Sequence, residues 1–178
     1  IYASSSSVYG ESTKTELSVE DRTDSPISIY ATSKITNELM AFNYNHLFGI
    51  ETIGLRYFTV YGPWGRPDMA YYLFCDKITK GEPITIYNNG EIRRDFTFID
   101  DIVQGTHAAI NKNYKCEIFN LGNNKQENIM EIIQLIEANT GQKAIINYKG
   151  IQPAGDVEQT YADIDYSRKK LGYEPKIS

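Results

Sequence analysis

Apolar residues recur at Ile29, Ile35, Leu39, Phe42 and Leu47, and this roughly helical spacing predicts one long helix over 27–48. Gly49 stands just past its end, where a left-handed residue closes a helix. Before it, residues 1–7 read as a short strand ending in a serine run, and 9–26 as a polar loop rich in turn residues. After it, 51–57 reads as a second strand. A strand, a helix and a strand in that order imply a right-handed parallel crossover.

The texture then changes. Gly62-Pro63-Trp64-Gly65-Arg66-Pro67 is turn chemistry and a natural exit from the first layer. Residues 69–80 read as a helix closed by Gly81, 84–87 as a β-branched strand, and Asn88-Asn89-Gly90 as a hairpin-like turn. Residues 93–98 form the next strand, and Asp100 or Asp101 caps a helix that runs to about 112. A strand over 117–121, a helix over 127–140, a strand over 144–148 and a last helix over 164–171 complete the pattern. The alternation makes the chain α/β.

Composition narrows the function classes. A net charge of -5 argues against a general nucleic-acid surface, while leaving room for a few arginines in a pocket for an anion. No apolar run approaches the roughly 18 residues of a membrane span, and no positive-then-apolar stretch resembles a secretory leader, so a cytoplasmic setting is expected. Cys75 and Cys116 match no metal or redox spacing, and each sits in an apolar context that suggests a buried free thiol. With only His46 and His107 besides, no metal site is expected. The chain opens on Ile1-Tyr2-Ala3 without an initiator Met and runs straight into a strand. It is therefore expected to be part of a longer polypeptide.

The strongest local signal is Tyr30-Ala31-Thr32-Ser33-Lys34. Tyr and Lys four apart share one face of a helix, and the ammonium favours the phenolate of Tyr30. Such a Tyr can take a proton from a sugar hydroxyl near neutral pH. Upstream, Ser4-Ser5-Ser6-Ser7-Val8-Tyr9-Gly10 ends a strand at the rim where open α/β sheets bind ligands. A hydroxyl donor, a phenolic base and a cation together suit oxidation of an alcohol with a nicotinamide cofactor.

Four motifs then follow in order: Ser-Ser-x-x-Val-Tyr-Gly, Tyr-x-x-x-Lys, Leu55-Arg56-Tyr57-Phe58 with Tyr61-Gly62-Pro63, and Arg94-Asp95-Phe96-Thr97-Phe98-Ile99-Asp100-Asp101. In this order and spacing the chain resembles the extended short-chain dehydrogenase/reductase family, specifically its nucleotide-sugar epimerases and dehydratases. The resemblance covers essentially all 178 residues. It implies the C-terminal part of a Rossmann-like domain over 1–62 and a mainly nucleotide-sugar-binding domain over 63–178, with segments around 98–125 returning to the first. It also implies NAD as cofactor, a UDP-sugar as substrate and a homodimer in the full-length form. The 27–48 helix would supply part of a four-helix interface, with Met40 and Phe42 facing either a partner or the core.

Residue by residue, the resemblance makes Ser5 the catalytic Ser/Thr, Tyr30 the base, and Lys34 the residue that also holds the nicotinamide ribose. Tyr57 matches a backbone contact to the carboxamide. Tyr87 matches a group at the uracil or is simply a strand aromatic. Arg94 matches the arginine on the diphosphate, and Asp156 a nucleotide-ribose contact. Asp100 and Asp101 are caps rather than ligands.

Dehydratases of this family need an acid and a base where Ser6 and Ser7 stand, and decarboxylases typically carry Glu at Ser7. Serine is a poor proton shuttle for elimination, which leaves epimerisation at C4 through a 4-keto sugar. The run Gly62-Pro63-Trp64-Gly65-Arg66-Pro67-Asp68-Met69, with Thr59 before it, is similar to that of the UDP-glucuronate 4-epimerases. A guanidinium at Arg66 can meet the C6 carboxylate with paired hydrogen bonds, helped by Ser6, Ser7 and Thr59; otherwise Arg66 is a surface turn residue. Held out of line with the C4 carbonyl, that carboxylate would be protected from loss as CO₂. The alternatives are an epimerase for UDP-glucose or an N-acetylated sugar, or a catalytically incompetent structural or nucleotide-sugar-binding piece. Two departures stand out: Ala154 looks inserted within Gln152-Pro153-Ala154-Gly155-Asp156, and the Gly-rich loop that would hold the cofactor pyrophosphate at a helix N-terminus is missing. The chain by itself is accordingly expected to be inactive.

Overall fold

The computed structural model describes residues 1–12, 14–150 and 159–177. In chain order the elements are β1 (Tyr2–Ser5), α1 (Ile29–Phe48), β2 (Thr52–Tyr57), β3 (Thr59–Tyr61), α2 (Ala70–Lys80), β4 (Pro83–Ile86), β5 (Arg93–Arg94) and β6 (Phe96–Phe98). They continue with α3 (Ile99–Ile110), β7 (Cys116–Leu121), β8 (Glu127–Asn128), α4 (Ile129–Thr140), β9 (Ile145–Tyr148) and α5 (Asp165–Leu171). No helix among the described residues is long and apolar enough to cross a membrane.

β1, β2 and β7 form a parallel sheet in that order, and β2 lies buried in its centre. The register sets Ser4 beside Arg56 and Ser5 beside Tyr57. A core of Val8, Leu55, Ile102, Phe119, Leu121 and Tyr173 surrounds the sheet. A second cluster, Ile78, Ile84, Ile86 and Ile133, sits where α2 and α4 cover the parallel pair β4–β9. Between the two, β3 pairs with β6 in parallel and β5 with β8 antiparallel.

α1 departs from the sequence expectation in its orientation. Its buried line is Ala31, Glu38 and Asn45, spaced by seven residues. Ile29, Leu39, Phe42 and Leu47 are exposed, Phe42 at 63 %, as is Met40. The inner line tolerates polar residues because each is satisfied. Glu38 meets Arg56, and Asn45 Nδ2 donates to Ile50 O and Lys115 O at 2.8 and 2.5 Å. Of the five residues that define the period, only Ile35 packs partly against the core.

Other local readings also change. The 93–98 strand is split at Asp95, whose buried carboxylate accepts from Asn123 N at 2.6 Å, Ala162 N at 3.1 Å and Thr97 Oγ1 at 3.3 Å. The chain thereby switches partner from β8 to β3. Asn88-Asn89-Gly90 makes a left-handed turn, with φ of 48, 51 and 84°, but no hairpin: β4 pairs with the distant β9. Asp100 and Asp101 do not cap α3; they lie inside its first turn, after Phe98. α4 begins two residues later than expected, where Asn128 and Glu131 form a capping box. The expectation of buried thiols is corrected too: Cys75 is exposed on α2, and Cys116 is half-buried beside Thr52.

Candidate active site

The ends of β1 and β2 set the first two groups. Ser5 closes β1 and opens the 3-10 turn Ser6–Tyr9, and its Oγ accepts from Ser7 N at 3.2 Å and Ser7 Oγ at 3.0 Å. That leaves the Ser5 hydroxyl proton available to a ligand. Tyr57, its neighbour in register, bonds Thr106 through its hydroxyl at 3.1 Å.

The start of α1 sets the next two. Ser28 caps the helix, accepting from Ala31 N at 3.1 Å. Tyr30 therefore falls in the first turn, 52 % exposed. Lys34 follows one turn on. Its Nζ donates to Ala3 O at 3.1 Å and stands 5.5 Å from the Tyr30 ring centroid.

The loop from β3 to α2 supplies Arg66. Gly65 packs so closely under Tyr71 that a Cβ there would stand 2.2 Å from the Tyr71 hydroxyl. Arg66 grips Asp68 with two bonds, Nε at 3.1 Å and a terminal nitrogen at 2.5 Å, and both partners are exposed. Hydrogen bonding to Asp68 holds the guanidinium above its ordinary value, and the Tyr30 and Tyr71 phenols add to this. The same bond holds the Asp68 carboxyl below the usual range.

These residues converge. Ser5, Ser6, Tyr30, Lys34, Tyr57, Thr59 and Arg66 all line one open cavity of about 590 Å³. An adjoining cavity of about 590 Å³ carries Tyr87 and Arg94, and shares Thr59, Met69 and Tyr71 with the first. Ser7 lines neither and instead donates to Ser5. Asp156, with Gln152 and Ala154, lies outside the described residues. Among the described lining residues of the first cavity, Lys34 and Arg66 are the cations and there is no carboxylate.

Residues 1–122 match the model of the NAD dependent epimerase/dehydratase family. The chain belongs to this family. It is 53 % identical over 178 residues to an uncharacterised protein of Methanocaldococcus jannaschii, covering all of this chain and 54 % of that one. It is 43 % identical over 191 residues to UDP-glucuronate 4-epimerase 4 of Arabidopsis thaliana, covering 98 % of this chain and 44 % of the relative. The crystal structure of UDP-glucuronic acid 4-epimerase from Bacillus cereus, in complex with UDP-glucuronic acid and NAD, superposes with a TM-score of 0.91 at 38 % identity. That likeness covers 99 % of this chain and 56 % of the solved one. The chain thus spans about half the length of the relatives it matches.

Within the epimerase/dehydratase scaffold, sequence reasoning passed over several residues. Glu38, Arg56 and Ser4 form a buried polar cluster directly behind Ser5 and Lys34. Its only local signal is an acid one turn after Lys34. Asp68 was visible two residues after Arg66, but nothing local distinguishes a partner from a solvated charge. Tyr61, Met69 and Tyr71 complete the wall, and burial pushes both phenols up. Trp64 adopts φ 62° and stands fully exposed on the same wall.

Proposed function

We propose that this chain is the catalytic and nucleotide-sugar-binding part of an NAD-dependent enzyme that epimerises C4 of a UDP-sugar, converting UDP-glucuronate to UDP-galacturonate. The observation that carries this reading is the make-up of the first cavity: a Ser, a Tyr and a Lys beside one further cation, Arg66, and no carboxylate, among the described residues. A dehydratase or decarboxylase needs an acid or base there. A sugar acid needs a cation.

In this reading Tyr30 takes the proton of the C4 hydroxyl and later returns it, while Ser5 donates a hydrogen bond to the same oxygen. Lys34 stands over the Tyr30 ring and holds a ribose. Its ammonium has three donors, and Ala3 O takes one of them, so Lys34, Tyr30 and Tyr57 fit the nicotinamide end of NAD. When bound, NAD supplies the hydride acceptor and gives the hydride back to the sugar. Arg66, Ser6, Ser7 and Thr59 hold the C6 carboxylate; Ser7, which donates to Ser5, would need to turn to do so. Arg94 meets the diphosphate, Tyr87 the uracil and Asp156 the nucleotide ribose.

Residues 1–62 would then form part of the NAD-binding domain. Residues 63–178 would be mainly the sugar-nucleotide domain, with segments around 98–125 returning to the first. The exposed Leu39, Met40, Phe42 and Leu47 on α1 support a homodimer contact on that face.

The test is to incubate the full gene-encoded polypeptide with UDP-glucuronate and no added cofactor, and follow the anomeric protons by NMR. Appearance of UDP-galacturonate supports C4 epimerisation with resident NAD. Activity confined to UDP-glucose would retain the Ser5–Tyr30–Lys34 chemistry and reject the uronate.

A further inference from the structure

The partner of Arg66 is chemically the same group as the ligand proposed for it. Asp68 presents a carboxylate to the guanidinium through two bonds, the fork geometry that a substrate carboxylate would use. Both side chains are exposed, at 70 % and 63 %, and an exposed pair of this kind is weak. Exchanging one carboxylate for another therefore changes little in bond count or charge. Position matters as well. Arg66 lines the cavity that holds Tyr30, whereas Asp68 lines the adjoining cavity that holds Arg94. The pair stands on the boundary that a nucleotide sugar reaching from one cavity to the other must cross.

We propose that Asp68 is a built-in competitor for Arg66, displaced by the carboxylate of a uronic acid, and that it thereby sets the preference between charged and neutral sugars. The proposal rests on the uronate reading given above. With a neutral sugar the Arg66–Asp68 pair stays closed, and the site offers no net charge at C6. With a uronate, the substrate carboxylate takes the guanidinium, and Asp68 is released toward a wall that also carries Lys77 and Arg94. Competition by Asp68 weakens binding of every uronate by the occupancy of the closed pair, while it also keeps the fork preoriented across the boundary. Asp68 is a specificity-determining residue in this scheme and touches no reacting atom.

The experiment measures dissociation constants of UDP-glucuronate, UDP-glucose and UDP for the full gene-encoded polypeptide, as wild type, Asp68→Asn and Arg66→Ala. UDP reports whether the nucleotide half is intact in each variant. The expected result is that Asp68→Asn tightens UDP-glucuronate about two- to fivefold, the range an exposed pair can supply. UDP-glucose and UDP should be unchanged, and the gain should shrink with added salt. Weaker or unchanged UDP-glucuronate binding in Asp68→Asn, or an equal shift for both sugars, overturns the proposal. Arg66→Ala separates the two layers. If it abolishes the uronate preference while Asp68→Asn does not raise it, only the competition fails. If it leaves the preference intact, the uronate reading fails and the competition with it.

Discussion

The Arg56 guanidinium grips Glu38 with two hydrogen bonds, Nε to Oε1 at 2.9 Å and a terminal nitrogen to Oε2 at 2.8 Å. Both side chains are buried, and the pair fastens β2 to α1. Glu38 also accepts from Ser4 Oγ at 2.5 Å, and Arg56 stacks 4.8 Å from the Tyr9 ring centroid. Three elements that carry Ser5, Lys34 and Tyr57 thus meet on one buried carboxylate. Burial opposes the Arg56 charge, yet bonding to Glu38 outweighs it and keeps the guanidinium above its ordinary value.

Removing one partner strands the other. Glu38→Ala should destabilise the protein by about 3–5 kcal/mol, because a buried guanidinium loses its counter-charge. Urea denaturation measures this; a loss below about 1 kcal/mol would mean that solvent reaches Arg56 freely.

In the proposed mechanism, Tyr30→Phe removes the group that exchanges the proton and little else, since its ring is half exposed. In the full gene-encoded polypeptide, kcat should fall at least about 10²-fold, with the dissociation constant of the nucleotide sugar within a factor of about two. Retained turnover would transfer the proton role to another group.

Burial pushes the Asp95 carboxyl up from 3.8 to about 6, against the amides of Asn123 and Ala162 that favour its charged form. A raised carboxyl favours the protonated native state. Its contribution to stability is fully present below pH 3.8 and is lost as pH rises through 6. Asp95→Asn cannot titrate, so the stability of wild type minus variant should fall by about 2 kcal/mol between pH 4 and 7. Paired denaturation curves across that window check it, and a constant difference would refute it.

Gly65 lies against the Tyr71 hydroxyl with no room for a Cβ. Gly65→Ala should therefore shift the loop that carries Arg66 and raise KM for the sugar nucleotide about tenfold. Tyr71→Phe removes the nearest atom; the ring carbon behind it stands 3.1 Å from the Cβ position. The double variant should recover most of the loss. Equal KM values in Gly65→Ala and the double variant would trace the defect elsewhere.

Much of the candidate site was legible because its signals are short-range. Tyr30 and Lys34 share a face by helix geometry alone, and Ser28 fixes where that helix starts. Arg66, Thr59 and Ser6 were read from resemblance, and the fold gathers them into the cavity of Tyr30. Asp68 was legible as a letter but not as a partner. Glu38 and Arg56, eighteen residues apart, gave no pairing signal.

By itself the sequence determined the α/β alternation, the lengths of α1 and β2 to within a few residues, and the helix ends at Gly49 and Gly81, where φ is near 70°. Each of these is set by neighbours within about one turn of chain. Only the tertiary structure decided that the strand reading over 93–98 breaks at Asp95, that β4 joins β9, and that the apolar residues of α1 face outward while Glu38 faces in. Those outcomes depend on which distant groups satisfy a buried carboxylate, an amide or a guanidinium, and no local period encodes the partner of a buried charge.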